Sequence, residues 1–377
     1  MIDLLIDTRF LPLVLLIVFT ISWMVQLVFY WGFYWRLARF SPESHSEPEP
    51  GVTVVICAHN EYHHLKDNLP LILEQDYPAF EVLVVNHASD DDTHYLLTSL
   101  AEQYPHLKSI SIKEDLNFFS GKKFPLSIGI KSAHYSKILL TDADCKPASS
   151  RWIREMTSAF GSGIEVVLGY GAYNKTGGFL NKLIRFDTAH IAIQYLSYAL
   201  AGIPYMGVGR NLSYLKQVFY RNKGFISHYQ IRSGDDDLFI NSVASGMNTS
   251  IRINPESHTF SDPKQTMGEW ITQKRRHLST STHYKLRHKL PLGIYSLSLL
   301  LFYTLFILLV SISVSVFPVL FLVLLRLITQ YIVLGRCMRQ LNEKDLIPFI
   351  PFLDILLLIF NLTILLSNLF HKTGKWK

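Results

Sequence analysis

Ile138-Leu139-Leu140-Thr141-Asp142-Ala143-Asp144 is an apolar run that ends in two carboxylates one residue apart. A short apolar run of this kind reads as a buried strand. Two acids just past its end can bring two oxygen ligands to one hard divalent cation. A cation held there can bridge the phosphates of a nucleoside diphosphate and neutralise the charge that grows as it leaves. Asp is also common in plain strand-end turns, so the pair takes its meaning from what surrounds it.

Working outward, strand-like runs at 52–57, 81–85, 109–112, 137–140 and 165–168 alternate with helical stretches at 61–74, 91–103, 124–133 and 150–160. That alternation predicts an α/β domain, a mostly parallel sheet with helices on both faces. Such sheets bind ligands beyond the carboxyl ends of their strands. Three polar strand ends are therefore expected to share one cleft: Ala58-His59-Asn60-Glu61, Asn86-His87-Ala88-Ser89-Asp90, and Asp142-Ala143-Asp144.

The flanks have a different composition. Of 377 residues 49% are hydrophobic and mean hydropathy is +0.20, and the apolar residues are clustered. Phe10 to Trp35 carries no charge and is long enough to cross a bilayer core of about 30 Å. It ends in aromatics and Arg36 rather than a small-residue cleavage site, so it reads as a retained anchor. Leu290 to Leu325 is also uncharged and is expected to form two spans breaking near Pro318, the second continuing to about Leu334. A last apolar segment, Leu346 to Phe370, carries only Asp354. A charge inside a span is costly and normally paired. Arg326 and Asp354 lie at similar depths at 1.5 Å per residue, which predicts an interhelical ion pair. This divides the chain into an anchor (1–40), a Pro- and Glu-rich linker (41–50), the α/β domain (51–264), an interfacial helical region (265–289), about three membrane helices (290–371) and a tail (372–377).

The net charge is +6. The basic residues gather beside the apolar segments, at Arg36 and Arg39, Lys274 to Arg276, and Lys285 to Lys289. That placement suits anionic lipid headgroups and the positive-inside bias better than nucleic acid. It also puts the domain on the cytoplasmic face of the cell (inner or plasma) membrane, in a multi-pass protein. Four full spans would leave Lys372, Lys375 and Lys377 outside, against the bias, so a re-entrant or interfacial last segment is the alternative. Cys57, Cys145 and Cys337 show no metal spacing and no disulfide framework, in keeping with a reducing compartment.

At the strand ends the chain resembles the family 2 glycosyltransferases of GT-A fold, particularly membrane-bound synthases similar to those making cellulose, hyaluronan and poly-N-acetylglucosamine. The likeness runs from about Val52 to His277 and extends to the flanking spans. It implies a nucleotide-sugar site at VVICAHNE (54–61), with Ala58, Asn60 and Glu61, and at VVNHASDDDT (84–93). In the second motif Asn86 and His87 stand where the family usually has an Asp on the base or ribose. Lys122 of Gly121-Lys122-Lys123 and the Asp142-Ala143-Asp144 motif complete that site, with Asp144 as direct metal ligand and Asp142 on the metal or ribose. Gly207, Gly209 and Asn211, in Met206–Asn211, resemble the loop lining the acceptor side. Ser233-Gly234-Asp235-Asp236-Asp237-Leu238 corresponds to the motif that supplies the catalytic base, with Asp235 on the base, Asp236 as the second candidate, and Gly234 where Glu is common. Gln273, Arg276 and His277 resemble the Gln-x-x-Arg-Trp motif facing diphosphate or acceptor, with His in place of Trp.

The resemblance implies inverting transfer from a UDP- or GDP-sugar, with Mg²⁺ or Mn²⁺, to a lipid-linked or saccharide acceptor, in polysaccharide or glycolipid synthesis. The alternatives are a processive polysaccharide synthase, to which His277 is less suited than Trp, and an inactive GT-A-like membrane subunit with a binding or scaffolding role.

Overall fold

A computed structural model of the chain describes residues 10–41, 51–113, 121–161, 163–231 and 233–370. Residues 1–9 of the expected anchor, all but the first residue of the linker, and the tail lie outside the described residues. Ten strands form in chain order: β1 (Val52–Ala58), β2 (Phe80–His87), β3 (Leu107–Ile112), β4 (Lys137–Asp142), β5 (Lys146–Pro147), β6 (Val166–Leu168), β7 (Gly171–Tyr173), β8 (Leu212–Leu215), β9 (Thr249–Ile251) and β10 (Thr259–Ser261). Seven make the main sheet in the order β3-β2-β1-β4-β8-β6-β9, and β5-β10-β7 form a small second one.

The five expected strands are present, and β1 to β4 pair in parallel. Nearly every residue of β1 is buried, as expected of a strand covered on both faces. The helices Tyr62–Leu73, Thr93–Gln103 and Lys123–Ser132 follow the expected segments, whereas the fourth is a short Trp152–Thr157 helix. Strand β8, not anticipated, runs antiparallel between β4 and β6. One apolar core packs helices Tyr62–Leu73, Thr93–Gln103 and Trp152–Thr157 on one face of the sheet.

The other face is covered by Lys123–Ser132 and by a long helix, Gly178–Leu200, buried along most of its length. Its two buried charges are paired, Arg185 with Glu343 and Asp187 with Lys274, and its far side meets the membrane helices: Tyr198 lies 4.9 Å from Phe33, and His190 stacks 6.3 Å from Tyr295. One continuous core thus runs from the sheet through Tyr30, Tyr34 and Tyr295 to Leu334, Leu346 and Leu353.

Among the described residues four helices are long and apolar enough to cross a membrane: Phe10–Ala38, Leu286–Ser311, Val316–Gln340 and Lys344–Ser367. The first passes through a π-helical segment, Phe29–Tyr34. The break between the second and third falls at 312–315, slightly before Pro318, where Ser313 (φ 55°) and Ser315 (φ 50°) adopt left-handed backbone. Pro318 sits instead in the first turn of the next helix, where its missing N–H costs nothing. The helix Ile350–Phe370 lies along Met267–Thr280, with the Trp270 and Phe360 rings 5.5 Å apart.

Arg326 and Asp354 pair as expected, Nη2 to Oδ2 at 2.8 Å, both almost fully buried. Gln26, Tyr303, Gln330 and Tyr30 also accept from the guanidinium, so one cation joins all four helices. Asp354→Ala should lower stability by about 3–5 kcal/mol, because it strands a buried charge. The double change Arg326→Leu/Asp354→Leu should regain most of that, measured as thermal unfolding in detergent. A double variant as unstable as the single one would remove the pair from the account.

Candidate active site

The parallel register sets Cys57 beside Asp142 and Ala58 beside Asn86, so the three strand ends stand in one row. The loops between them are then laced together. Asn60, with φ 57°, accepts from Asp90 N (2.8 Å) through its side chain and donates its own N–H to Ser89 Oγ (2.9 Å). Asn is among the few residues that tolerate this backbone. Asp91 accepts from Tyr62 N and Thr93 N, fixing the starts of two helices. Asn86 and His87 are both buried: the Asn86 amide oxygen accepts from Ser89 Oγ (2.5 Å), and the His87 carbonyl accepts from His59 Nδ1 (2.7 Å). Glu61 contacts His64 (2.6 Å), and burial, outweighing that contact, raises its pKa. Ala58 and Ala143, buried at strand ends, have only backbone to offer.

Lys122, at the start of the Lys123–Ser132 helix, is ion-paired with Asp142. Burial pushes the Asp142 carboxyl up, but Lys122, with Arg210 and Arg276 behind it, outweighs this and holds its pKa below the usual value. Asp144 is raised, first by burial and then by Asp142. The candidate ligand atoms of Asp142, Asp144 and Cys145 all lie within 4.8 Å of one another. Burial also raises the Cys145 thiol well above its usual range. A protonated thiol is a poor ligand for a hard cation, so the two carboxylates fit Mg²⁺ or Mn²⁺ and the cysteine does not contribute.

The acidic triplet closes the opposite side. Gly234 has φ 97°, and a Cβ there would meet Leu238 at 2.5 Å. A left-handed turn of this kind suits glycine. Asp235 is pushed up to about 6, mainly by desolvation and then by Asp236, with Lys122 opposing. Lys122 and Asp142 are thus near enough to act on its charge. Both Asp236 oxygens accept backbone N–H groups, from Gly209 (2.8 Å) and Asp237 (2.7 Å). Asp237 accepts from Tyr284 OH (2.7 Å) and from the Thr280 hydroxyl, at the junction with the second membrane helix.

Arg210 is a site residue that the motif reading missed. Its guanidinium lies 4.4 Å over the Tyr173 ring and donates to Ser261 Oγ (2.9 Å). Its carbonyl accepts from Thr141 and Thr259, each at 3.0 Å, so it is fixed beside Asp142, and it pulls down the pKa values of Asp142 and Asp144. The available signal was its position, the single charge in the Met206–Asn211 loop. Gln273 reaches the same ring, donating to Tyr173 OH (3.1 Å), and Arg276 and His277 are exposed one turn on.

Two of the acceptor-side candidates, Asn211 and Gly207, sit in tightly packed surroundings. Asn211 is fully buried: it accepts from Trp152 Nε1 (3.0 Å) and donates to the carbonyls of Tyr170 (2.9 Å) and Ser257 (2.7 Å). A side chain so fully engaged braces the loop and leaves little for a substrate. Gly207 is a packing glycine, whose Cβ would meet Leu168 at 3.0 Å, whereas Gly209 touches the site through its bond to Asp236.

A family model, Glycosyl transferase family 21, matches residues 13–377. The chain belongs to glycosyl transferase family 21. It is similar to the poly-beta-1,6-N-acetyl-D-glucosamine synthase of Staphylococcus aureus, 28% identical over 129 residues, which cover 33% of this chain and 30% of that protein. It is also similar to an uncharacterized glycosyltransferase of Haemophilus influenzae, 26% identical over 161 residues, 39% of this chain and 48% of that one. The matched segments thus span less than half the length of these relatives. Among solved structures it is similar to the mannosyltransferase PcManGT from Pyrobaculum calidifontis, in complex with GDP-Man and Mn²⁺. The TM-score is 0.58 at 17% identity, covering 92% of this chain and 99% of that one. The fold of this family 21 glycosyltransferase is therefore GT-A with membrane helices at both ends.

Asn211→Ala in this glycosyltransferase would orphan a buried indole N–H and two carbonyls. A loss of roughly 2–3 kcal/mol is expected, read as a lower unfolding temperature. Unchanged stability would return Asn211 to the list of substrate contacts.

Proposed function

We propose that this glycosyltransferase is a metal-dependent, inverting enzyme of the inner membrane. It moves one sugar at a time from a UDP- or GDP-sugar to a lipid-linked or saccharide acceptor. The reading is supported by the Asp142–Asp144 pair, whose ligand atoms lie close together, and by Asp235, whose charge is felt by both Lys122 and Asp142. The neighbour solved in complex with GDP-Man and Mn²⁺ supports the donor class and the ion, and the Arg36, Arg39, Arg287 and Lys289 clusters support a cytoplasmic domain.

Asp142 and Asp144 would hold Mg²⁺ or Mn²⁺, which supplies charge neutralisation to the departing diphosphate. Lys122, Arg210 and Arg276 add positive charge on the same side, suited to phosphate oxygens. Asp235, ionised at neutral pH but with a raised pKa, accepts the proton of the acceptor hydroxyl. That oxygen bonds to the anomeric carbon from the face opposite the diphosphate, whose oxygen leaves with the electron pair of the broken bond. Asp236 orients the segment through Gly209 rather than taking the proton.

Asp235→Asn should lower transfer by at least about 10²–10⁴-fold while nucleotide binding with Mn²⁺ persists. The folded protein disfavours ionised Asp235, so stability is lost as pH rises from the ordinary carboxyl value of 3.8 to about 6, and the full cost is present at neutral pH. At pH 7 the Asn variant should therefore unfold at the same temperature or higher. Near wild-type turnover would rule out the base assignment. Asp144→Ala should abolish Mn²⁺-dependent nucleotide binding, and Arg210→Met should raise donor KM by about tenfold. A thermal-shift panel of UDP- and GDP-sugars with Mn²⁺ reads out the donor. Product length then separates single transfer from polymerisation, and absence of both transfer and donor hydrolysis would favour a scaffold.

A further inference from the structure

Lys122 and Lys123 are consecutive, yet their ammonium groups have entirely different partners. Lys122 pairs with Asp142 on the donor side. Lys123 is 2% exposed and, among the described residues, has no carboxylate within ion-pair distance. Its Nζ donates to three carbonyl oxygens: His228 (2.6 Å), Ile231 (2.5 Å) and Ser233 (2.8 Å). An ammonium has three N–H donors, and here each meets one oxygen. Burying a charge is costly unless such dipoles satisfy it, so the three carbonyls and the cation hold one another.

The gathered segment leads straight into the acids. Ser233 is followed by Gly234, whose φ of 97° turns the chain to present Asp235. Downstream, Asp236 is fixed by Gly209 N and Asp237 by Thr280 and Tyr284. Upstream of Gly234, the Lys123 nitrogen is where the segment converges.

We propose that Lys123 is a positioning residue for the transfer reaction: its ammonium gathers the carbonyls of His228, Ile231 and Ser233 and so sets where the Asp235 carboxylate stands. This rests on the reading of Asp235 as the base. Because both lysines sit on the first turn of one helix, the proton acceptor and the donor-side carboxylate share one rigid frame of reference. Misplacing a reacting group by about 1 Å can cost on the order of 10²-fold, so the effect should appear in turnover rather than in donor affinity.

The test compares full-length wild type, Lys123→Met, Asp235→Asn and the double variant in detergent. Lys123→Met should lower kcat by at least about tenfold with donor KM within about twofold. Backbone hydrogen exchange should quicken across 233–238 while the Lys123–Ser132 helix keeps its protection. The double variant should be no slower than Asp235→Asn, because Lys123 acts through that carboxylate. Unchanged kcat and exchange in Lys123→Met would overturn the proposal whatever Asp235→Asn does. A parallel loss of kcat, donor affinity and unfolding temperature would overturn it too, by marking a merely structural lysine. Near wild-type turnover by Asp235→Asn would sink the base reading instead, and the exchange measurement would still report whether Lys123 holds the segment. Should the Met variant fail to fold, Lys123→Arg keeps the charge but spreads its donors over a planar fork. It should show the same kcat-selective loss, and full activity there would count against the proposal.

Discussion

The parallel pairing of β1 with β2 on one side and β4 on the other is the constraint on which the rest depends. It aligns Ala58, Asn86 and Asp142 at one edge, so residues far apart in sequence face one volume of space. Everything else at the site is bracing. Asn60 and Asp91 lace two loops together, Thr141 and Thr259 hold the Arg210 backbone, and Asn211 locks the wall behind it. Side chains whose donors and acceptors are all engaged give rigidity, and rigidity is what a site built for charge stabilisation requires.

The electrostatics fall into two halves. At the end of β4 the positive charges outweigh burial and keep Asp142 ionised. Across the cleft, desolvation and Asp236 outweigh Lys122 and make Asp235 more basic. Two carboxyls with environments that push them in opposite directions are suited to different tasks. One can meet cations, and the other can receive a proton.

Much of this was legible in the chain because strand–helix alternation and the two acidic motifs are local signals. The first four strands, three of the helices and the Arg326–Asp354 pair follow from periodicity and from the cost of a charge in lipid. Strand β8 was not legible, since four residues, Leu212 to Leu215, have no period to speak of and run directly into a helix. The long helix Gly178–Leu200 lacks an amphipathic stripe because it is enclosed on most sides. Asn211 and Arg210 are neighbours in one motif, and only tertiary packing separates the residue that turns inward from the one beside the acids. Lys123 hid behind Lys122 for the same reason.

The aromatic seam where Tyr198 and His190 meet Phe33 and Tyr295 has a practical corollary. A fragment trimmed to the sheet and its helices would bare a wall of rings that normally never sees water, and such a surface invites aggregation. The catalytic half is therefore not a soluble enzyme on a tether. Its interior is completed by the very helices that anchor it, and it must be handled as an integral membrane protein throughout.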